Sequence, residues 1–358
     1  MRVGLVVYGS LDVLSGGNLY DQKLVEVLRA RDHHVDVLSI PGGSYAWNLA
    51  WNLSRSLRRR IVSGRYDVLL EDELCHPSLF HSNRVLRTPA RVVSIVHHLR
   101  SSEDRPRWQN DLYRRVEKRY LESVDAFVFN SHTTRETVES LLSQKTRSVV
   151  ATPGGDRLGR PLERDAVLRR AREEGALRIL FVGNLIPRKG LHVLLDALAR
   201  IPERDVRLDV AGSDSMDRAY AAAAREKVRS LGLEDRVRFH GTLEGDDLAA
   251  RFLEAQVLVV PSSYEGFGIV YVEAMAFGLP AIASASGATD EIVRHETTGF
   301  LVPPGDGWSL ARRIESLVED RDLLARLSLN ALDTFDDHPG WSESMGKVEE
   351  FLLALALG

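Results

Sequence analysis

Short apolar runs alternate along the chain with longer stretches in which apolar residues recur every three or four positions. The short runs are rich in Val, Ile and Leu, as in strands buried on both faces, and the longer stretches have helical spacing. Strands are predicted in the first half at residues 3–8, 35–40, 67–71, 92–97, 126–130 and 148–152. Strands are predicted in the second half at residues 178–182, 206–211, 237–240, 257–260 and 281–284. The alternation predicts an α/β fold with parallel sheets.

The alternation breaks at Pro153-Gly154-Gly155, which a charged and weakly apolar stretch follows. At 358 residues the chain is longer than one hydrophobic core usually supports, so two domains are expected. We place the linker at this break and predict a Rossmann-like, doubly wound domain on each side of it. Such sheets bind ligands beyond the carboxyl ends of their strands. Residues 341–357 have the spacing of a further helix.

The composition is that of a globular protein, with 44% apolar and 27% charged residues. No apolar run reaches the roughly 18 residues of a membrane-spanning helix. The chain starts directly in a predicted strand, with no signal-peptide pattern, and its single cysteine, Cys75, cannot form an internal disulfide. A cytoplasmic protein is therefore predicted. The net charge is −4, and the mildly basic first half lacks an aromatic–basic repeat, so no nucleic-acid partner is expected.

Two glutamates separated by seven residues, Glu265 and Glu273, follow the predicted strand at residues 257–260. A glycine-containing turn lies between them, and a helical pattern that ends in Gly and Pro begins there. A strand, a glycine loop and a helix in this order aim backbone N–H groups at an anion. The spacing places Glu273 about two helical turns from Glu265, so the two carboxylates can hold opposite ends of an elongated ligand. The residues of the turn are Gly266, Phe267, Gly268 and Ile269.

A second candidate site is the turn after the predicted strand at residues 178–182, which carries Arg188 and Lys189. Lysine is a compact charge suited to a diphosphate, and arginine offers a two-pronged donor. Asn184 lies in the same turn; it can donate a hydrogen bond but brings no charge. The turn therefore predicts a binding site for phosphate groups.

Two further features follow predicted strands of the first half. Gly16 and Gly17 precede a helical pattern and allow the backbone to approach a phosphate or a sugar closely. His97 ends the predicted strand at residues 92–97, and His98 follows it. A histidine at a strand end is more often structural than catalytic, and the residues alone leave both roles open.

Residues 261–306 resemble the donor site of the retaining glycosyltransferases of family four, which have the GT-B architecture. The resemblance rests on the Glu-x7-Glu spacing, the Gly-Phe-Gly turn, the continuation Glu-Ala-Met-Ala-x-Gly-x-Pro and a later stretch that ends at Asp306. It implies two Rossmann-like domains that face a central cleft, with the C-terminal helix crossing back to the first domain. The acceptor domain would comprise residues 1–155 with 340–358, and the nucleotide-sugar domain residues 156–339.

The resemblance also implies the reaction. A hexosyl group would move from a nucleoside-diphosphate sugar, with UDP as the expected nucleotide, to a hydroxyl acceptor, with retention and without a metal, a cofactor or an enzyme nucleophile. Glu273 would bind the ribose hydroxyls, and His97 and Glu265 would contact the donor sugar as the catalytic pair. Lys189, the amides of the turn and the Gly16-Gly17 pair would hold the diphosphate. The family usually has Arg where this chain has Asn184, so Arg188 is expected to supply the missing charge.

Three questions stay open at the level of sequence. Residues 45–65 combine two tryptophans one helical turn apart with five arginines and no acid, which fits either a helix at the inner membrane face or an ordinary domain helix. A lipid-linked acceptor depends on the first alternative. A nucleotide-sugar epimerase would share the two-domain plan but not the whole Glu-x7-Glu block. The chain could also be a non-catalytic sugar-nucleotide binding protein, because Asn184 brings no charge to the predicted phosphate site.

Overall fold

Two compact units make up the chain in a computed structural model, Met1–Pro153 with Trp341–Gly358 and Gly154–Gly340. The structure describes residues 1–13, 15–86, 90–159, 162–202 and 205–357. Leu14, inside the glycine-rich stretch before the first helix, and Gly358, the last residue of the predicted acceptor domain, lie outside the described residues. We call the two units unit 1 and unit 2.

Unit 1 contains a six-stranded parallel sheet in the order β2-β1-β3-β4-β5-β6. Its strands are β1 (Arg2–Tyr8), β2 (His34–Ile40), β3 (Val68–Asp72), β4 (Arg91–Val96), β5 (Ala126–Phe129) and β6 (Ser148–Val150). Its helices are α1 (Gly16–Ala30), α2 (Tyr45–Ala50), α3 (Arg55–Ser63), α4 (His76–Val85), α5 (Arg107–Leu121), α6 (His132–Leu142) and α14 (Trp341–Leu357).

Unit 2 contains a second six-stranded parallel sheet, in the order β12-β11-β10-β7-β8-β9. Its strands are β7 (Leu177–Val182), β8 (Val206–Ala211), β9 (Val237–Gly241), β10 (Val257–Val260), β11 (Ala281–Ser284) and β12 (Gly299–Val302). Its helices are α7 (Arg164–Ala171), α8 (Leu191–Leu198), α9 (Arg218–Ser230), α10 (Gly245–Glu254), α11 (Ile269–Ala276), α12 (Gly307–Glu319) and α13 (Arg321–Asp336).

Apolar runs form the strands of both units because their side chains are buried on both faces of each sheet. The four residues of β10 are all fully buried, and so are most residues of β1. Every predicted strand is confirmed to within two residues at either end. The strand β12 was not predicted, because its four residues begin with Gly299 and carry no longer apolar run.

The predicted return of the C-terminal helix to the first half of the chain is confirmed. Helix α14 packs against α1 in unit 1, where the rings of Trp341 and Tyr20 meet edge to face with their centroids 6.0 Å apart. Trp341, Met345 and Leu352 are buried along the contacting side of α14. The apolar spacing of residues 341–357 is thus that of a helix covering part of the core of unit 1.

The prediction of one continuous helix after Tyr45 is wrong. Helix α2 ends at Ala50, a short 3-10 turn covers Trp51–Leu53, and α3 starts afresh after Ser54. The hydroxyl of Ser54 accepts the backbone N–H of Leu57 at 3.2 Å and so caps a new helix. The side-chain amide of Asn52 donates to the carbonyl of Pro77 at 2.5 Å, which holds the break against α4. None of the helices formed by the described residues is both long and apolar enough to cross a membrane.

Candidate functional site

The loop between β10 and α11 ends in a glycine, which has no side chain to cap the start of the helix. Gly268 occupies the N-cap of α11 with a φ of 95°, and no side chain caps the first turn of this helix. An L-residue with a side chain rarely adopts that conformation, so glycine suits the position. The N–H of Tyr271 donates to the backbone carbonyl of Gly268 at 2.9 Å. Ile269 and Val270 precede it at the N-terminal end of the helix, which favours an anion.

Glu265 lies in this loop and is held by three side chains. The ammonium group of Lys189 donates to its Oε1 at 2.6 Å, and the Ser262 hydroxyl donates to the same oxygen at 2.6 Å. The guanidinium of Arg188 is 3.4 Å from Oε2 and also donates to the carbonyl oxygen of Tyr264 at 2.7 Å. Unit 2 therefore brings Arg188, Lys189 and Glu265 together, although more than seventy residues separate the turn from the glutamate.

The charge of this cluster is set by the two cations. Burial raises the pKa of the Glu265 carboxyl, but the charges of Lys189 and Arg188 outweigh burial and bring it down to about 2. Burial lowers the pKa of Lys189, and the Glu265 carboxylate partly offsets that effect. The lysine side chain is 16% exposed and the glutamate side chain 7%. Glu265 is therefore an ionised hydrogen-bond acceptor at neutral pH. Arg188 and Lys189, the two cations predicted to bind phosphate, lie beside it.

Glu273 lies in the middle of α11, and its partner is Arg157. The Nε and Nη2 atoms of Arg157 approach the same carboxylate oxygen, Oε1, at 2.8 and 2.7 Å. Glu273 is only 3% exposed. Burial raises the pKa of this carboxyl, and the guanidinium of Arg157 pulls it back toward the ordinary value. Arg157 thus favours the charged form of this buried carboxyl group.

The remaining predicted residues of unit 2 lie in the same two loops. Phe267 is buried, and Ile269 is the first residue of α11. Asn184 is half-buried in the loop after β7, where its backbone carbonyl oxygen accepts the backbone N–H of Ile186 at 2.9 Å. Gly266 occupies the turn just after Glu265.

In unit 1 the predicted glycines and His97 are in contact. Helix α1 begins at Gly16, and the Ser15 hydroxyl caps it by accepting the N–H of Asn18 at 3.1 Å. A Cβ on Gly17 would lie 3.0 Å from Cδ2 of His97, so a larger residue there would press on the imidazole. The backbone of α1 thus reaches the histidine ring closely because the position is a glycine.

His97 is buried at the carboxyl end of β4 beside acidic residues. Its Nε2 lies 3.2 Å from Oδ1 of Asp21, and its carbonyl oxygen accepts the side-chain amide of Asn130 at 2.9 Å. Burial lowers the pKa of His97, but Asp21, with a further contribution from Asp72, raises it to about 9. His97 is therefore an imidazolium at neutral pH, which can donate hydrogen bonds but cannot act as a base. His98 instead contacts Glu103, with 2.9 Å between Nε2 and Oε1.

Three of these residues were missed at the level of sequence. Arg157 and Asp21 each contact a predicted site residue, and Ser262 completes the group around Glu265. The sequence held one clue to Arg157, because this residue follows the Pro153-Gly154-Gly155 break, where the second domain was predicted to begin. Asp21 looks like an ordinary polar position of α1, and Ser262 like an ordinary loop residue.

Two groups of described residues offer ligand atoms within 4.8 Å of one another and could hold a metal ion, Asp21 with Asp72 and His97, and Glu73 with His76 and Glu117. In each group the histidine already has partners. His97 contacts Asp21, and His76 Nδ1 lies 2.9 Å from the carbonyl oxygen of Glu73 while Nε2 lies 3.2 Å from the hydroxyl of Tyr45. The expectation of a metal-free site stays a prediction.

Family models match both halves of the chain. The model described as Glycosyltransferase Family 4 matches residues 15–157, and the model described as Glycosyl transferases group 1 matches residues 167–334. The second range contains both Glu265 and Glu273 and the loop with Lys189. Together the two matches leave out residues 1–14, 158–166 and 335–358.

Curated relatives include transferases whose names contain inositol. The chain is 30% identical over 285 residues to a D-inositol 3-phosphate glycosyltransferase of Corynebacterium glutamicum, across 76% of this chain and 65% of that protein. It is 29% identical over 371 residues to a phosphatidyl-myo-inositol mannosyltransferase of Mycobacterium leprae, across 91% of this chain and 90% of that protein. The chain spans 36%, 61% and 65% of the lengths of the first three curated relatives it matches.

Solved structures share the fold at low identity. Sucrose-phosphate synthase of Thermosynechococcus elongatus superposes with a TM-score of 0.83 at 24% identity, over 99% of each chain. Anabaena HepE in complex with UDP-glucose gives a TM-score of 0.77 at 20% identity, over 99% of this chain and 100% of that chain. These likenesses and the two parallel sheets confirm the predicted GT-B fold. Since a family model matches each half and the Glu265–Glu273 block lies inside the second match, the chain belongs to the glycosyltransferases of family four.

Proposed function

We propose that this protein transfers a hexosyl group from a nucleoside-diphosphate sugar to a hydroxyl acceptor, with retention at the sugar and without a metal. The observation that carries the proposal is the cluster of Arg188, Lys189 and Glu265 at the carboxyl ends of β7 and β10. Helix α11 begins four residues after Glu265, with a first turn that no side chain caps. Two cations and a helix N-terminus at the ends of two neighbouring strands suit a diphosphate.

The transfer follows from these groups without an enzyme nucleophile. The acceptor oxygen attacks C1 of the sugar on the face from which the diphosphate leaves, and the bond from C1 to the diphosphate oxygen breaks. The electron pair of that bond stays on the diphosphate, and a diphosphate oxygen takes the proton of the acceptor hydroxyl. Lys189, Arg188 and the amides of the first turn of α11 stabilise the growing negative charge. Glu265 orients hydroxyls of the donor sugar, and Glu273 accepts hydrogen bonds from the ribose.

The nucleotide that we propose is UDP. Support comes from the structural neighbour that was solved in complex with UDP-glucose, which has the same fold at 20% identity. Arg188 takes over the charge that Asn184 lacks, since its guanidinium already lies 3.4 Å from Glu265. The contacts that the resemblance gives to Gly16, Gly17 and His97 with the donor stay predictions.

Thermal unfolding with added nucleotides tests the donor site. A ligand at about 100 times its dissociation constant adds roughly 2.7 kcal/mol of stability, which gives a visible rise in Tm. We expect a rise with UDP and UDP-sugars and a smaller one with GDP and ADP. The Glu273→Gln variant should lose most of the rise. Glu319→Gln, an exposed glutamate at the end of α12, is the matched control and should keep it.

Turnover separates this proposal from its two rivals. A transferase consumes UDP-sugar slowly without an acceptor and faster with one, and it releases UDP. An epimerase would convert one UDP-sugar into another without releasing UDP or needing an acceptor. A binding protein would show the rise in Tm but no turnover with any of a broad set of acceptors. If no nucleotide raises the Tm, the proposal of a donor site is wrong.

For the acceptor we propose a lipid-linked hydroxyl reached from a membrane surface. The support lies in unit 1, where Trp47 is 59% exposed and Leu53 is 73% exposed at the break between α2 and α3. The next helix, α3, carries Arg55, Arg59 and Arg60 on its exposed side. Apolar tips beside arginines are typical of an interfacial contact with anionic lipid.

Cosedimentation with vesicles tests this contact. We expect binding to phosphatidylglycerol vesicles at low salt, weaker binding at high salt, and none to phosphatidylcholine. Replacing Trp47 and Leu53 by Ser should abolish it. Trp308→Ser is the matched control, because Trp308 is 67% exposed in unit 2. Equal binding by wild type and the Trp47/Leu53 variant would show that this surface is not the contact.

A further inference from the structure

The chain enters unit 2 in close contact with α11, and a glycine permits this. A Cβ on Gly155 would lie 2.4 Å from Cγ1 of Val272 and 3.0 Å from the carbonyl carbon of Val272. It would also lie 2.8 Å from the ring of Phe335. Gly155 thus brings the backbone against the helix at the residue just before Glu273. The short 3-10 turn Asp156–Leu158 follows at once and carries Arg157 to the carboxylate.

The contact between Arg157 and Glu273 uses only one side of the carboxylate. Both nitrogen atoms of the guanidinium, Nε and Nη2, approach Oε1. None of the described residues hydrogen-bonds Oε2. An ionised carboxylate has lone pairs for about four hydrogen bonds, so Oε2 keeps its whole accepting capacity.

Arg157 also favours the charged form of this carboxylate. Burial raises the pKa of Glu273 because water is excluded around it, and the guanidinium is the group that opposes the rise. Without Arg157 that opposition would be lost, and the pKa of Glu273 would rise further. A neutral carboxyl is a weaker acceptor than a carboxylate, since hydrogen bonds to charged groups are about twice as strong.

We propose that Arg157 is the positioning residue of the nucleotide site, which holds Glu273 as a carboxylate with Oε2 presented to the ribose 2′ and 3′ hydroxyls. The inference rests on the proposed function, because it needs a ribonucleotide at Glu273. It adds a specificity: the site selects ribonucleotides over 2′-deoxyribonucleotides, and Arg157 is the origin of the selectivity although it need not touch the nucleotide.

The test compares UDP with 2′-deoxy-UDP by titration calorimetry on the full chain, with the GDP and ADP pairs measured alongside. Wild type should bind UDP about tenfold to a hundredfold more tightly than 2′-deoxy-UDP, as expected for a hydrogen bond to a charged group. In Arg157→Gln the preference should shrink to about threefold or less. Arg157→Lys, which restores the charge but not the two-pronged grip, should lie between them.

The pH dependence distinguishes positioning from a merely structural role. The preference for UDP over 2′-deoxy-UDP should fall more steeply between pH 8 and pH 6 in Arg157→Gln than in wild type, because Glu273 takes up a proton more readily without the guanidinium. The terminal phosphate titrates in both ligands alike, so its effect cancels in this ratio. Combining Arg157→Gln with Glu273→Gln should cost no more than Glu273→Gln alone. Arg164→Gln is the matched control, since Arg164 is an exposed arginine of unit 2 that pairs with Asp333.

The outcomes separate the two proposals. Failure of wild type to bind any of the three ribonucleotides overturns the proposed function and this inference with it. Ribose selectivity that persists in both Arg157 variants, at every pH, overturns the role of Arg157 and leaves the proposed function standing. If Arg157→Gln unfolds without ligand, Arg157→Lys still decides the question, because a ribose preference equal to that of wild type overturns the role of Arg157 and a smaller one supports it.

Discussion

The buried pair between Lys189 and Glu265 makes a sharp prediction about acid stability. The perturbation is Glu265→Gln, which keeps the shape of the side chain and removes its charge. In wild type the ammonium group of Lys189 lies 2.6 Å from Oε1 of Glu265. In the variant Lys189 would be buried without this negatively charged partner. Breaking a buried pair by removing one partner typically costs about 3–5 kcal/mol.

The pKa of Glu265 gives an independent magnitude. A fall from the ordinary value of 4.5 to about 2 corresponds to about 3 kcal/mol of stabilisation at neutral pH, since each pKa unit is worth about 1.4 kcal/mol. The folded-state pKa lies below the unfolded value, so this stabilisation is fully present above pH 4.5. It declines as the pH falls from 4.5 toward 2. The difference between wild type and Glu265→Gln should therefore be largest at pH 7 and shrink below pH 4.5.

Hydrogen exchange of peptides from residues 257–285 is the suitable assay. The two units need not unfold together, and these peptides cover β10, α11 and β11 of unit 2 alone. Opening free energies would be measured for both proteins at pH 7, 5, 4 and 3, with Glu319→Gln as an exposed control expected to change by less than about 0.5 kcal/mol. A difference that is absent at pH 7, or that is as large at pH 3 as at pH 7, would refute the reasoning.

Three further predictions concern packing and charge. Stability contributed by His97 should be complete below pH 6.5 and lost as the pH rises to about 9, and Asp21→Asn should lower the His97 pKa in an NMR titration; an unchanged titration would contradict the pairing. Gly155→Ala should lower stability by about 1–3 kcal/mol through overpacking against α11, whereas Gly307→Ala, with its nearest neighbour at 3.6 Å, should have little effect on urea midpoints. Trp341→Ala should cost about 3–5 kcal/mol in calorimetry, because the indole is buried under α1; a loss below 1 kcal/mol would mean that α14 is not part of the core.

The strands were predictable because parallel strands are buried on both faces, so their apolar runs are visible without knowledge of their neighbours. The placement of Glu265 and Glu273 was predictable for a similar reason, since strand, loop and helix lie within one short stretch, and their roles stay predictions. The residues of this loop that we expect to bind the donor are close together in the sequence. The same holds for Lys189, which sits at the next strand end of the same sheet.

Contacts between distant parts of the chain account for what was missed. Arg157 meets a carboxylate 116 positions away, and only the close approach at Gly155 makes that contact. Asp21 gains its importance from a histidine 76 positions away. The break between α2 and α3 depends on Asn52, whose amide bonds a carbonyl of α4. Spacing along one segment carries no information about such partners.

The return of α14 to unit 1 has a consequence for the order of events during synthesis. Unit 2 is one uninterrupted stretch, whereas unit 1 needs residues from both sides of it. At roughly 5–20 residues per second, the ribosome delivers α14 roughly 10 to 40 s after it has finished the first part of unit 1. During that interval the side of α1 that α14 covers is open to chaperones. A ribosome that stalls before Trp341 would release a chain with a finished unit 2 and an unfinished unit 1.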